Sequence, residues 1–298
     1  MANGTGRRLI IVPRANHCSI LFNQRTLTES VAWLDAAIGP GARGVAVKPD
    51  VCIWWALVFC MGALLLFYPL ARLVWQAPRV LEEGTLPSQG QVLFISLIAG
   101  AATFLLIRYT PWRFPHALIA DALGPFTLVY GLVAGLVIWR SDWVRWGSLS
   151  RPGIWRLAVY LLFSLLYLGG TMGVMLHLVV SNLVPVGRRI GVIGILMVML
   201  LPYFILDELL VRSGHIGRTW LYWFITKLGW FAALGLSLAT GAMPEAVRLI
   251  LPELALFMLL GGYLSDRLYR VCGNPLVGAV LQAISLAWIV GMAGTLYV

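Results

Sequence analysis

Residues 51–75 read VCIWWALVFCMGALLLFYPLARLVW, and their only charged residue is Arg72, close to the end of the stretch. About 20 apolar residues in a helix are enough to cross the hydrocarbon core of a bilayer. A helix buried in a soluble protein rarely runs so far without polar side chains. We therefore predict that this stretch crosses a membrane. It also separates a short water-compatible segment from a long series of further apolar stretches.

The composition favours the same class of protein. Of the 298 residues, 60% are hydrophobic and only 11% are charged, whereas a soluble domain carries about 25% charged residues. The net charge of +10 is spread over nearly every segment between the apolar stretches. A nucleic-acid-binding protein gathers positive charge on one face, so we expect membrane lipids, and no nucleic acid, as partners of these cations.

Seven more apolar stretches follow the first one. The predicted fold class is therefore mainly α, a polytopic bundle of about eight transmembrane helices behind a short N-terminal β-α piece. The predicted spans are 51–75, 92–107, 117–139, 157–184, 190–210, 219–240, 246–264 and 276–297. Pairs of glycines four residues apart predict close contacts between helices; they are Gly131 and Gly135, Gly169 and Gly173, and Gly187 and Gly191.

We expect an integral, multi-pass protein of a bacterial inner or plasma membrane. Lysine and arginine are almost equally divided between the two sides of the predicted bundle, so the positive-inside rule does not fix the orientation. A cytoplasmic N-terminus is expected because no export signal precedes the first span. The four cysteines form no CxxC pair, and we expect neither a metal site nor a cofactor.

The segment before the first span has alternating strand and helix signals. Residues 7–12 (RRLIIV) predict a short buried strand that Pro13 ends, and a polar loop with His17 follows. Thr26 and Glu29 have capping-box spacing, and an amphipathic helix follows them. Its apolar face is formed by Leu27, Val31, Leu34 and Ile38. A lone strand is not stable, so we predict a partial α/β unit over 1–39, a linker over 40–50 and a transmembrane domain over 51–298.

This order of strand, loop with His17 and helix resembles the C-terminal end of an α/β-hydrolase, over about residues 7–38. In that family the catalytic histidine follows the last strand, and the chain order is nucleophile, acid, histidine. The resemblance implies that His17 is the catalytic base and that the other two triad members precede Met1. No GxSxG is present in the sequence. We expect that Met1 is internal to a longer reading frame or that the gene is split; otherwise His17 is an ordinary loop histidine.

Ionisable residues inside predicted spans are costly to insert and are functional candidates for that reason. One interpretation pairs Lys227 with Asp207 or Glu208 across a short hairpin, which would order a polar pocket near one membrane interface. The other is a structural ion pair, in which Glu208 meets Arg212 at i,i+4 spacing. The intramembrane candidates are Asp207, Glu208, Lys227, His177 and Glu253.

Three functions remain open from the sequence. The first is the membrane-integral C-terminal part of an α/β-hydrolase-like protein that hydrolyses an ester or lipid; it would be inactive alone and would need a protein that supplies the missing hydrolase core. The second is a non-catalytic membrane anchor or subunit. The third is a transporter or lipid-handling protein that uses Asp207, Glu208 and Lys227, and it requires a cavity reaching the middle of the membrane.

Overall fold

The computed structural model of the chain describes residues 10, 24–38, 52–74, 87–110, 117, 119–141, 154–173, 185, 187–212 and 219–293. Helices account for the regular structure in these ranges, and no strand occurs within them, which confirms the mainly α class. Apart from Ile10, the predicted strand 7–12 lies outside the described residues. The α-helices are α1 (Gln24–Ile38), α2 (Cys52–Val74), α3 (Gln89–Tyr109), α4 (Ala120–Ser141), α5 (Ile154–Leu168), α6 (Arg188–Arg212), α7 (Thr219–Ala239), α8 (Ala246–Leu249), α9 (Leu251–Cys272) and α10 (Pro275–Ala293). A π-helix, Gly169–Gly173, continues α5.

Five of these helices are long and apolar enough to cross a membrane, namely α3, α4, α6, α7 and most of α10. Shorter apolar helical stretches cover Val58–Val74 and Leu157–Thr171. The chain is therefore a multi-pass membrane protein by helix length and composition. The count of eight spans, the bacterial origin and the cytoplasmic N-terminus stay predictions.

The chain divides into two compact units, Met1–Val58 and Phe59–Val298. In the first unit, α1 occupies the position of the predicted amphipathic helix. It begins at Gln24, so Thr26 lies inside the helix and the predicted capping box is wrong. Leu27 and Val31 are half-buried, but Leu34, on the same predicted face, is 44% exposed. The predicted domain bounds at 39 and 50 stay a prediction.

In the second unit, α4 and α6 approach each other closely because α4 carries glycines at the contact. A Cβ added at Gly131 would come within 2.8 Å of the Cα of Tyr203, and one at Gly135 within 3.0 Å of the Leu206 side chain. These contacts advance together along the two helices, so α4 and α6 run parallel. The predicted role of the first glycine pair is thus confirmed.

The other two glycine pairs do not make such contacts. In the described part of the chain, no atom lies within 4 Å of the position a Cβ would take at Gly187, Gly191 or Gly169. Gly173 makes only ordinary van der Waals contact, 3.8 Å from the ring of Trp288. Among the described residues these two pairs show no approach as close as that of Gly131, and the helix contacts predicted at them stay a prediction.

The predicted span 246–264 is divided into two helices. The short α8 ends at Leu249, and α9 starts at Leu251 with Pro252 in its first turn, where its missing N–H is tolerated. The helix then continues to Cys272 and ends at Gly273, whose φ of 70° is the left-handed conformation that favours glycine. Asp266 and Arg267, beyond the predicted span, therefore lie on a membrane-length helix.

The ends of several helices meet on one side of this unit. Arg212, the last residue of α6, contacts Gly262 and Asp266 in the C-terminal half of α9. Since α7 and α10 follow α6 and α9 after short connections, they begin on this same side. We call it the α6 C-terminal side. The candidate site lies within the helices just below it.

Candidate functional site

Charged and polar side chains from four helices meet near the C-terminal end of α6. They are deeply buried, with exposed fractions of 3% for Asp207, 1% for Glu208 and 4% for Lys227. Charged side chains are almost never buried to this degree unless they are paired. We call this set the polar layer, and its members are Asp207, Glu208, Arg212, Lys227, Asp266 and Gln282, with Arg270 at its edge.

The first branch of the polar layer joins α6 to α7. The Lys227 Nζ donates to Asp207 Oδ2 over 2.5 Å and to the hydroxyl of Tyr203 over 3.2 Å. The ammonium also lies 5.0 Å from the ring centroid of Tyr203 and 5.6 Å from that of Phe204, which adds cation–π attraction. The sequence allowed either Asp207 or Glu208 as the partner of Lys227. In the structure, Lys227 is paired with Asp207.

The second branch joins α6 to α9 and α10. The Arg212 guanidinium donates to Glu208 Oε2 over 3.0 Å, to Asp266 Oδ1 over 2.9 Å and to the Gly262 carbonyl over 3.3 Å. The other oxygen of Glu208 accepts a hydrogen bond from Gln282 Nε2 over 2.7 Å. The predicted i,i+4 contact between Glu208 and Arg212 is therefore present, as one part of a larger network.

Adjacent carboxylates reach different helices because of helical geometry. Successive residues of an α-helix are separated by about 100° around its axis. Asp207 consequently contacts Lys227 on α7, while Glu208 contacts Gln282 on α10. One dipeptide on α6 thus connects two neighbouring helices, and Arg212 connects the third, α9.

The charges of the polar layer balance. Asp266 completes the set by accepting from Arg270 Nε over 2.7 Å with its second oxygen, and the Arg270 side chain is 42% exposed. The three carboxylates Asp207, Glu208 and Asp266 are matched by the three cations Arg212, Lys227 and Arg270. Burial of an unpaired charge is very unfavourable, so this balance allows the layer to exist inside an apolar bundle.

A small cavity of about 10 Å³ lies beside the first branch. Its polar lining comes from Ser96, Tyr130, Tyr203, Asp207 and Thr226. The buried Asp207 Oδ1 has no hydrogen-bond partner within the described part of the protein. A polar space of this size is just sufficient for one water molecule. The arrangement can therefore hold a single small hydrogen-bond donor against a carboxylate oxygen.

The remaining sequence candidates are His17, His177 and Glu253. His17 and His177 lie outside the described residues, so their predicted roles are untested. Glu253 is exposed in the first turn of α9. Among the residues that the structure describes, no group of three or more histidines, cysteines or carboxylates could hold a metal ion.

Asp266 and Gln282 belong to the layer but were not among the candidates predicted from the sequence. Asp266 was placed beyond the end of the seventh predicted span at residue 264, where a charged residue needs no partner. Gln282 is neutral and lies 74 residues from Glu208 in the chain. The available signal for Asp266 was its i,i+4 spacing to Arg270, which is favourable only if the helix continues.

Comparisons of the chain with protein-family models, with curated proteins and with solved structures each found no match. The resemblance of residues 7–38 to an α/β-hydrolase therefore stays a prediction from the sequence. Function has to be inferred from the N-terminal motif and from the chemistry of the polar layer.

Proposed function

We propose that this chain is the membrane-integral C-terminal part of an α/β-hydrolase-like protein, and that the helices from α2 onward anchor it in the bilayer. The N-terminal resemblance supports the hydrolase part, in which His17 acts as the catalytic base toward an ester or lipid substrate. The charge-balanced polar layer supports the anchor part, because it connects four helices without leaving an unpaired cation inside.

The observation that best supports the anchor function is that the charged groups of the polar layer are paired with one another. Lys227 and Arg212 each contact a carboxylate on the same or an adjacent helix. The space beside Asp207 is large enough for about one water molecule. A path for a solute needs polar groups directed into a larger open volume, whereas these groups are directed at one another. The layer is therefore best suited to hold the helices in one arrangement.

In the hydrolase part, His17 would take the proton of a nucleophilic hydroxyl as it attacks the ester carbonyl. It would return that proton to the leaving alcohol and then activate water in the same way. The nucleophile and the acid that orients the histidine would come from sequence outside this chain. We therefore expect the purified chain alone to hydrolyse no p-nitrophenyl ester above the buffer rate.

A fluorophosphonate probe tests this function, because it reacts covalently with an activated serine. Membranes that contain the chain with its natural neighbours should yield a labelled hydrolase core attached to, or co-purifying with, the tagged chain. The His17→Ala variant should lose most of the labelling and keep the association. His17 is the residue to change because the family resemblance assigns it alone to the triad.

Retained labelling in His17→Ala, with an intact complex, would favour the second function, a non-catalytic anchor or subunit. Hydrolysis by the purified chain alone, abolished by His17→Ala, would contradict the absence of a nucleophile. These two outcomes are distinguishable because the first is measured on the complex and the second on the isolated chain.

One observation favours the third function, a transporter or lipid-handling protein: Asp207 lines a cavity, and its Oδ1 accepts no hydrogen bond from the described residues. A proton carried through the bundle could bind there. Proteoliposomes with an internal pH-sensitive dye separate the two functions. An anchor should dissipate a pH gradient no faster than empty vesicles, and a proton path should do so at a rate that Asp207→Asn removes.

A further inference from the structure

A second group of cations lies next to the polar layer, on the α6 C-terminal side. It consists of two arginines and two tyrosines from α2 and α9, and we call it the Arg–Tyr cluster: Tyr68, Arg72, Tyr263 and Arg267. The four side chains belong to no ion pair or charge network already described. Their arrangement raises the question of which anion balances them.

The two guanidinium groups share one aromatic ring. The Cζ of Arg267 lies 5.2 Å from the ring centroid of Tyr68 and 4.8 Å from that of Tyr263. The Cζ of Arg72 lies 5.8 Å from the same Tyr68 ring. A ring attracts a cation through its face and is not a conventional hydrogen-bond acceptor, so these contacts leave the guanidinium N–H groups without one.

An acceptor is missing from the cluster within the described residues. The Nε of Arg267 is buried there and has no hydrogen-bond partner. Neither Arg72 nor Arg267 forms a salt bridge with a described carboxylate, and nearby Asp266 already accepts from Arg212 and Arg270. A buried donor without an acceptor is unfavourable. The cluster therefore carries two positive charges that no described carboxylate balances.

The position of the cluster indicates the source of that anion. Arg72 is two residues from the end of α2, and Arg267 is five residues from the end of α9. At a rise of about 1.5 Å per residue, both lie within about 8 Å of a helix end, at the level of lipid headgroups. On α2, Leu65, Leu66 and Leu73 are 64%, 57% and 82% exposed, which provides an apolar surface for acyl chains beside the arginines.

We propose that the Arg–Tyr cluster is a binding site for an anionic phospholipid. The headgroup phosphate is attracted by Arg72 and Arg267 and accepts hydrogen bonds from their guanidinium groups, while an acyl chain lies along the exposed leucines of α2. A zwitterionic lipid binds less well because its ammonium is repelled by two arginines that no described carboxylate neutralises. This site is independent of the hydrolase assignment.

The test uses the delipidated full chain in a neutral detergent, titrated with phosphatidylglycerol or phosphatidylcholine while its unfolding temperature is recorded. Phosphatidylglycerol should raise that temperature at concentrations at least about tenfold lower than phosphatidylcholine does. Inorganic phosphate at the same concentration should have no comparable effect, since it lacks acyl chains. Equal responses to the two lipids, or an equal response to inorganic phosphate, would overturn the proposal.

Charge-removing variants locate the site. Arg267→Gln should remove the preference for phosphatidylglycerol, and Arg72→Gln should weaken it by several-fold. The matched control is Arg108→Gln, which removes an exposed arginine from the end of α3, away from the cluster; it should keep the preference. If Arg267→Gln does not fold, Arg72→Gln decides, because Arg72 is exposed and its loss leaves no cavity. A full preference in Arg72→Gln would refute the site.

Discussion

The polar layer and the Arg–Tyr cluster are neighbouring regions in which cations have different partners. Helix α9 contributes adjacent residues to both, Asp266 to the layer and Arg267 to the cluster. In the layer, cations contact carboxylates at distances of 2.5 to 3.0 Å. In the cluster, they contact aromatic rings and no described carboxylate.

The difference follows from burial. Lys227 and Glu208 are almost completely buried among helices, where neither water nor lipid can supply a counterion, so the protein must supply it. Arg72 is exposed and Arg267 is half-buried, so headgroups and water are within reach. Charge balance inside the protein is thus required only where the surroundings cannot provide it, and the following substitutions test that rule.

The largest effect is expected for Lys227→Met, which leaves the Asp207 carboxylate buried without its cation. Breaking a buried pair from one side typically lowers the free energy of unfolding by about 3–5 kcal/mol. The double variant Asp207→Asn with Lys227→Met should recover more than half of that loss, because no buried charge is then left. Unfolding of the purified variants in detergent, followed by tryptophan fluorescence, measures both. A double variant as unstable as the single one would mean that packing, and not charge balance, governs the layer.

A smaller effect is expected for Asp266→Asn, which makes the layer resemble the cluster by removing a carboxylate from Arg212 and Arg270. Arg212 keeps Glu208 and the Gly262 carbonyl, so the expected loss is about 1–3 kcal/mol. The same unfolding measurement applies. A loss as large as that of Lys227→Met would show that Asp266, and not Glu208, is the main counterion of Arg212.

In the cluster, Tyr68→Leu removes the ring that Arg72 and Arg267 share, and Tyr263→Leu removes a ring that only Arg267 contacts. Each cation–π contact near a surface contributes about 0.5–1 kcal/mol. We therefore expect Tyr68→Leu to lower the free energy of unfolding by about 1 kcal/mol, and Tyr263→Leu by about half as much. The reverse order would argue against a shared ring.

The smallest effect is expected for Glu245→Gln. Its carboxylate pairs with Arg248 over 3.2 Å, but the two side chains are 70% and 56% exposed. Solvated pairs contribute little, so the free energy of unfolding should change by less than about 0.5 kcal/mol. A loss above 1 kcal/mol would contradict the dependence on burial that separates the layer from the cluster.

Parts of the candidate site followed from the sequence because they depend on local spacing. Asp207, Glu208 and Lys227 stood out as charges within apolar stretches, and the i,i+4 spacing of Glu208 and Arg212 predicted their contact. Asp266 was not predicted because it lies past the end of the predicted span 246–264. Gln282 was not predicted because it is uncharged. The Arg–Tyr cluster could not be predicted from the sequence either, since Tyr68 and Arg267 are far apart in the chain.

The sequence by itself determined that most of this chain consists of apolar helices and that a few charges lie within them, because hydropathy and helical period are properties of neighbouring residues. It also carries the hydrolase-like motif around His17, whose role the proposed labelling experiment will test. Only the tertiary structure decided which cation contacts which carboxylate and which arginines have no described carboxylate partner. That choice depends on which helices come together, and residues distant in the chain fix it by packing.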